Sequence, residues 1–262
     1  MNKARDDIKR AIRIRFYNNV CGKIASGVGY NPAHDGAEGD WLTREMGLTV
    51  NGDNEPDLMG FEMKTDSSKT TFGDWSPDSG LFVKVPPAGL REMDREAFLK
   101  AFGVVRSKPA TPSVVYYSWS GSVFPKVGGM NDCGQEMLVD GGNNITAEYD
   151  FNADRRPTKG SVVPTKYRGS RIELARWSAG MMKLRVENKF NQNGWFKCVK
   201  DSYKRYESIQ FGLPLNFEVF IALVRSGRVF CDSGMHSTNP RPYMAWRAAN
   251  SVWDSLAECE SA

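Results

Sequence analysis

The segment from Glu55 to Thr65 constrains the fold of this chain most, because apolar and charged residues alternate in it as they do on a half-buried β-strand. On a strand, Glu62 and Lys64 are two residues apart and point to the same face, whereas Phe61 and Met63 point into the core. The pattern therefore predicts a strand, within residues 57–65, that holds a carboxylate and an amine above an apolar face.

Asp57 adds a second carboxylate to this face. It lies five residues before Glu62, which is the wrong parity for one straight strand, and Gly60 is the residue type that allows a bend or bulge between them. Two carboxylates are the donors that Mg²⁺ takes from proteins beside a substrate phosphate, and a neighbouring lysine positions or deprotonates a water molecule. We expect Asp57, Glu62 and Lys64 to form a catalytic site, with Asp57 and Glu62 as metal ligands. A strand edge with solvated charges is the alternative.

Charge along the chain is uneven, although the net charge is only +4. The segment 155–205 carries fourteen Lys or Arg residues against three acids, and the first 23 residues carry seven basic residues against two acids. Local positive charge of this kind attracts polyanions, above all nucleic acid. The other interpretation is a solvated basic face.

Several classes of protein are disfavoured. The five cysteines form no CxxC pair and only two histidines are present, which argues against zinc sites and disulfide frameworks. No P-loop lysine or Gly-x-Ser-x-Gly turn occurs. No stretch is apolar enough to span a bilayer, and the basic N-terminal segment has no apolar signal region, so we expect a cytoplasmic protein.

The periodicity predicts an α/β or α+β protein with a mixed central sheet flanked by helices. Predicted helices are 3–19, 40–47, 91–102 and 217–225, and predicted strands are 57–65, 81–85, 114–119 and 228–232. We also predict a glycine-rich loop at 27–39, a polar loop at 67–77, a hairpin of 137–139 with 145–151, and a helix at the start of 181–201. Residues 244–257 fit either a strand or a helix.

Three segments resemble a known family. Pro56-Asp57 followed by Glu62-Met63-Lys64 resembles the signature of the PD-(D/E)XK nucleases. The preceding segment 36–47 resembles the helix before that signature in MutH-like nucleases. Segments 186–190 and 228–236, with Arg241 and Arg247, resemble more loosely the type II restriction endonucleases of the MvaI/BcnI kind.

The resemblance implies a restriction-endonuclease-like fold with additional DNA-recognition elements, and Mg²⁺-dependent hydrolysis of double-stranded DNA at a short site such as CCNGG. It also implies a bacterial or archaeal enzyme, monomeric or loosely dimeric, whose system includes a cognate DNA methyltransferase that is not a bound subunit. The chain is then a single nuclease unit, with a catalytic lobe of about 1–110 plus 181–225 and a recognition lobe of about 111–180 plus 226–262. A MutH-like nickase, a repair nuclease and a non-catalytic nucleic-acid-binding protein are the alternatives.

Candidate DNA contacts are basic residues or histidine near these segments. The set is Lys69, Lys183, Arg185, Lys189, His236, Arg241 and Arg247. Lysines and arginines on one helix favour phosphate contacts, whereas arginine or histidine near a turn can read base edges in the major groove. The alternatives are a solvated loop for Lys69, a surface histidine beside a turn for His236 and an ion pair beside the core for Arg247.

One position departs from the family pattern. The helix before the signature often carries a metal-site glutamate four residues before its terminal glycine, and this chain has Thr43 there. Glu38, Asp40 or Glu45 could replace it.

Overall fold

The structure is a computed structural model, and it describes residues 3–25, 36–49, 53–84, 91–108 and 111–259. Residues 27–35 of the predicted glycine-rich loop and Val85 of the predicted strand 81–85 lie outside these ranges. No helix within the described ranges combines the length and the hydrophobicity that crossing a lipid bilayer requires.

Helices and strands alternate irregularly along the described chain. The helices are α1 Lys3–Asn19, α2 Ala37–Glu45, α3 Arg95–Phe102, α4 Lys159–Val162, α5 Ala179–Phe190, α6 Phe217–Arg225 and α7 Asn250–Ser255. The strands are β1 Phe61–Thr65, β2 Lys69–Asp74, β3 Ser79–Gly80, β4 Val104–Lys108, β5 Thr111–Trp119, β6 Cys133–Val139, β7 Ile145–Asp154, β8 Ile172–Trp177, β9 Gly194–Lys200, β10 Tyr206–Gly212, β11 Val229–Ser233, β12 Met235–His236 and β13 Met244–Ala249. Single 3₁₀ turns occur at Gly121–Val123 and Thr165–Tyr167.

The chain divides into two compact units. Unit 1 comprises Met1–Thr70, Leu184–Phe217 and Ala248–Ala262, and unit 2 comprises Thr71–Lys183 and Glu218–Arg247. Unit 1 holds the sheet β1-β9-β10. In the described part of the chain, unit 2 holds three sheets, except for the first residues of β2 and the last residues of β13. These sheets have the strand orders β12-β5-β4, β3-β8-β7-β6 and β11-β13-β2. The functional division into a catalytic and a recognition lobe stays a prediction.

In unit 1, α1 and α2 cover the apolar face of the sheet. Strand β1 runs parallel to β9, and β10 runs antiparallel to β9. The core beneath the helices contains Phe61 and Phe196 of the sheet together with Phe16 of α1 and Leu42 of α2, all fully buried. The predicted alternation in β1 is thus confirmed, because Phe61 faces this core.

The N-terminal helix is joined to the C-terminal segment by ionic contacts. Arg5 and Lys9 of α1 both bind the carboxylate of Glu258. Arg5 also donates to the carbonyl oxygens of Asn193, at 2.9 Å, and Gly212, at 3.0 Å. These contacts link α1 to the residue before β9, to the last residue of β10 and to the C-terminal segment.

Unit 2 contains the predicted hairpin. Strands β6 and β7 pair antiparallel from Val139↔Ile145 onwards. The carboxylate of Asp140 accepts hydrogen bonds from the backbone amides of Gly142 and Asn144, which closes the turn. The prediction of a hairpin around residues 141–144 is therefore confirmed.

Some boundaries differ from the predictions. The loop predicted at 67–77 is wrong in its middle, because Lys69–Asp74 forms β2, where Thr70 and Phe72 are buried. Residues 81–83 are turns rather than strand, and in this part of the chain the residues that pair with β8 are Ser79 and Gly80. Residues 244–257 contain both predicted alternatives in succession, β13 and then α7.

Candidate active site

A tight turn brings Asp57 beside β1. Met59 and Gly60 both adopt positive φ, at 51° and 80°, and Leu58 and Phe61 exchange backbone hydrogen bonds of 2.9 Å. This geometry is that of the two-residue turns that connect hairpin strands. The chain therefore doubles back before β1, and the Asp57 carboxylate accepts a 2.9 Å hydrogen bond from the amide of Met63.

The turn is held from outside by Asn193, the residue before β9. Its backbone amide donates a hydrogen bond to the carbonyl of Gly60 at 2.9 Å, and its side-chain amide donates one to the carbonyl of Met59 at 2.8 Å. A Cβ at position 60 would lie 2.7 Å from Nδ2 of Asn193, so a residue with a side chain would not fit without displacing it. The bend predicted at Gly60 is present, and the strand itself begins only at Phe61.

Glu62 lies at the centre of the charged face, with 3% of its surface exposed. Its Oε1 accepts a hydrogen bond from Nζ of Lys64 at 2.7 Å. The same oxygen forms an ion pair with Nζ of Lys189, on α5, at 3.2 Å. Its Oε2 is buried and has no hydrogen-bond partner among the described residues. Burial and the nearby charge of Asp57 raise the pKa of Glu62, while Lys64 and Lys189 lower it, and the net effect is a pKa of about 7.

Lys64 is enclosed on its other sides by aromatic rings. Its ammonium lies 5.0 Å from the ring centre of Phe190, on α5, and 5.5 Å from that of Trp253, on α7. Burial lowers the pKa of Lys64, while Glu62 and Asp57 favour its charged form. Asp57 therefore interacts electrostatically with both residues, as a three-residue site requires.

The donor set of this face fits a hard divalent cation. A buried carboxylate oxygen without a hydrogen-bond partner is costly unless something positive occupies its lone pairs. Carboxylates are the protein ligands that Mg²⁺ prefers. Within the described ranges, however, no three Asp, Glu, His or Cys side chains converge as a metal-binding group.

Comparison with known proteins identifies the family of this chain. A family model described as LlaMI restriction endonuclease matches residues 22–260. The chain belongs to the LlaMI restriction endonuclease family. It is also 40% identical to the type II restriction enzyme ScrFI of Lactococcus lactis subsp. cremoris over 266 residues, which cover 95% of this chain and 96% of that enzyme.

A solved structure supports the fold of this family member. The restriction endonuclease MvaI in complex with its cognate DNA substrate matches 98% of both chains with a TM-score of 0.58 and 12% sequence identity. The predicted restriction-endonuclease-like α+β fold is confirmed, and so is the prediction that the chain is homologous to type II restriction endonucleases.

The residues predicted to bind DNA are distributed over both units of this restriction endonuclease homologue. Lys69, Arg185 and Lys189 belong to unit 1, and Lys183, His236, Arg241 and Arg247 belong to unit 2. Among those of unit 1, Lys189 forms an ion pair with Glu62, and its side chain is 15% exposed.

In unit 2, two predicted DNA contacts have defined partners. Nδ1 of His236 lies 3.0 Å from the hydroxyl of Thr238. Nε of Arg247 lies 3.4 Å from the carboxylate of Asp232, and both side chains are about one third exposed (27% and 31%). Arg241 is exposed.

The acids of α2 that could replace the missing family glutamate have other partners. Glu38 accepts hydrogen bonds from Tyr206, at 2.6 Å, and Lys200, at 2.7 Å. Glu45 pairs with Lys23 at 2.6 Å. Roles for these two carboxylates and for Asp40 in binding a second metal ion stay predictions.

Sequence reasoning did not find three residues that shape the site. Asn193 supports the turn before β1, and Phe190 and Trp253 enclose Lys64. Phe190 lies on α5, Trp253 lies on α7 and Asn193 precedes β9, so all three reach the turn and β1 from about 120 to 190 residues away in the sequence. No local pattern reports such contacts.

Proposed function

We propose that this family member hydrolyses phosphodiester bonds of double-stranded DNA at a short specific site, using Mg²⁺ together with Asp57, Glu62 and Lys64. One observation carries the proposal: Oε2 of Glu62 is buried and finds no hydrogen-bond partner in the part of the chain that the structure describes, while the other oxygen of this carboxylate is held by two lysines. A buried carboxylate oxygen of this kind is suited to bind a divalent cation.

Asp57 and Glu62 would hold the metal ion. Asp57 is oriented by the Met63 amide at 2.9 Å, and Glu62 by Lys64 and Lys189, so both carboxylates are ordered before a ligand arrives. When bound, Mg²⁺ supplies positive charge for the pentavalent phosphorus transition state and lowers the pKa of a coordinated water molecule.

Lys64 would act on the attacking water molecule. Its burial lowers its pKa, so its amine gives up a proton more readily than an exposed lysine does. As a cation it also offsets the negative charge of the phosphate. Lys189, predicted as a phosphate contact, is better placed to hold the Glu62 carboxylate.

DNA would be held by the remaining predicted contacts. Lys69, Lys183 and Arg185 would bind phosphates, and His236, Arg241 and Arg247 would read base edges. Arg247 also pairs with Asp232, and such an ion pair is the alternative to a role of this arginine in readout.

The resemblance and the family support further expectations about the biological system. We expect a CCNGG-like target, action as a monomer or loose dimer in the cytoplasm, and a separate methyltransferase that protects the same sequence.

Cleavage of plasmid DNA tests the proposal. Purified protein with Mg²⁺ and unmethylated plasmid should give discrete linear fragments whose ends share one sequence. Asp57→Asn and Lys64→Met should abolish them, while Glu55→Gln, which changes an exposed acid two residues before Asp57, should cut normally.

Other outcomes would replace this proposal. Nicked circles without linear product would indicate a MutH-like nickase. Salt-dependent DNA binding without any product, over a range of metals and salt concentrations, would indicate a non-catalytic nucleic-acid-binding protein.

A further inference from the structure

A second buried lysine lies beside Lys64 in the sheet of unit 1. In the parallel pairing of β1 with β9, Lys197 is the register partner of Lys64, so both side chains leave the same face. Lys197 is only 1% exposed, and the chemistry proposed above does not use it. Because burying a charge is costly unless it is paired, its partners show what the residue stabilises.

The partners of Lys197 are on α7. Its ammonium binds the carboxylate of Asp254 and donates to Oδ1 of Asn250 at 2.9 Å. The amide nitrogen of Asn250 in turn donates to Oδ1 of Asp66 at 2.8 Å. The other oxygen of Asp66 accepts a hydrogen bond from the backbone amide of Lys200 at 3.1 Å. The network therefore joins α7 to β9 and to Asp66, the residue that follows β1.

Helix α7 depends on these contacts for its position. It has six residues, Asn250–Ser255, and a helix this short has little stability of its own. Trp253, next to the anchored Asp254, is the residue of α7 that lies against Lys64, with its ring centre 5.5 Å from the ammonium. Trp253 also packs edge to face on Trp195, with centroids 5.1 Å apart.

We propose that Lys197 is a positioning residue for the DNA cleavage proposed above: it anchors α7 and so keeps the Trp253 ring against the Lys64 ammonium. The inference rests on that proposed function. A lysine side chain has many rotamers, and the Trp253 ring restricts those of Lys64 while favouring its cation. Without the anchor, α7 can shift and Lys64 loses one wall of its enclosure.

A matched pair of variants tests this proposal in the full chain. Lys197→Met removes the anchor with little change in volume. Lys200→Met removes a lysine from the same strand whose side chain binds Glu38 at 2.7 Å, away from Lys64. Cleavage of a cognate duplex is measured under single turnover with saturating enzyme and Mg²⁺, DNA affinity is measured in EDTA, and the unfolding midpoint is measured for each variant.

We expect Lys197→Met to cleave about tenfold more slowly than wild type, as a small misplacement of a reacting group would cause, with unchanged DNA affinity. Lys200→Met should cleave at the wild-type rate. Should Lys197→Met fail to fold, Asp254→Asn, which changes a half-exposed acid, removes the same ion pair and should slow cleavage in the same sense.

A double-variant cycle separates positioning from a loss of stability. If Lys197 acts through Trp253, the combination of Lys197→Met with Trp253→Leu cleaves no more slowly than Trp253→Leu alone. Additive losses of rate, equal losses in Lys200→Met, or wild-type cleavage by folded Lys197→Met or Asp254→Asn would each overturn the inference. Absence of cleavage by the wild-type protein would instead refute the proposed function.

Discussion

At the scale of single residues, opposing electrostatic effects act on the pKa of Glu62. Burial and Asp57 raise its pKa from 4.5 to about 7 against two nearby lysines. Because the pKa of the folded state exceeds the usual value, the contribution of this group to stability is fully present below about pH 4.5 and is lost as the pH rises through about 7. A cation beside Glu62 would take the place of the proton and would offset the free-energy cost of burying the ionised carboxylate.

The effect of Lys189 on Glu62 can be measured directly. Lys189→Met should raise the pKa of Glu62 in metal-free protein, because the ammonium 3.2 Å away stabilises the carboxylate. Carbon-13 NMR of labelled glutamate carboxyls follows the titration. Lys183→Met, which changes an exposed lysine on the same helix, is the control and should leave the midpoint near 7. An unchanged midpoint in Lys189→Met would contradict the contact.

Gly60 is the residue on which the position of Asp57 depends. Gly60→Ala adds strain at φ 80° and places a Cβ 2.7 Å from Asn193. Gly227→Ala is a matched control, since Gly227 has φ 70° and open space around it, and it should cost only the left-handed strain of about 1–2 kcal/mol. Denaturant unfolding should show a larger loss for Gly60→Ala. Equal losses would mean that Asn193 moves aside freely.

At the scale of elements, α1 is stabilised by contacts distant in sequence. Its buried residues Ile12 and Phe16 pack on the sheet, and Arg5 and Lys9 bind Glu258 near the C-terminus. Burial alone would raise the pKa of Glu258, but the hydrogen bonds from Arg5 and Lys9 outweigh it and lower the pKa. The stabilisation is therefore present above the usual pKa of a glutamate and is lost as the pH falls through the lowered value.

Replacing Glu258 should show this dependence. Glu258→Gln is expected to reduce the free energy of unfolding by about 1–3 kcal/mol at pH 7, since two charge-assisted hydrogen bonds weaken. The difference from wild type should shrink in acid, where wild-type Glu258 is protonated. Thermal or urea unfolding at several pH values measures it. Glu96→Gln, in an exposed pair with Lys100, should change stability little at any pH, and the same behaviour in Glu258→Gln would contradict the assignment.

At the scale of the whole molecule, the basic residues of 155–205 are not one uniform surface. Lys197 is buried on Asp254, and Lys189 is engaged by Glu62. Arg156 is held by Asp154 and by the carbonyl of Gly103. Part of the charge that suggested a polyanion partner therefore stabilises the fold, and exposed residues such as Lys183 remain for DNA.

The salt dependence of DNA affinity distinguishes these groups. Lys183→Ala should reduce the slope of log affinity against log salt by about one, whatever the DNA sequence, because one phosphate contact is lost. Arg241→Ala should instead reduce discrimination between cognate and altered duplexes, by about 1–3 kcal/mol. Lys100→Ala is the control for an exposed lysine outside the predicted contacts. Unchanged slope and discrimination in both variants would contradict the predicted roles.

The extent of prediction differed between kinds of element. The helix 217–225 and the hairpin around 141–144 were predictable because their periodicity and turn residues are local. Strand β2 was not predictable, since its buried residues Thr70, Phe72 and Gly73 stand among polar neighbours that are typical of a loop. Residues 244–257 gave an ambiguous pattern because a strand passes directly into a helix there.

The sequence by itself determined the alternation around Glu62 and Lys64, the need for a bend at Gly60, and the family resemblance, because each depends on neighbouring residues or on a short signature. Only the tertiary structure decided that Lys189 binds Glu62, that Phe190 and Trp253 enclose Lys64, and that Lys197 anchors α7. The physical reason is that burial and pairing of charges arise between elements far apart in the chain, and sequence spacing carries no information about those distances.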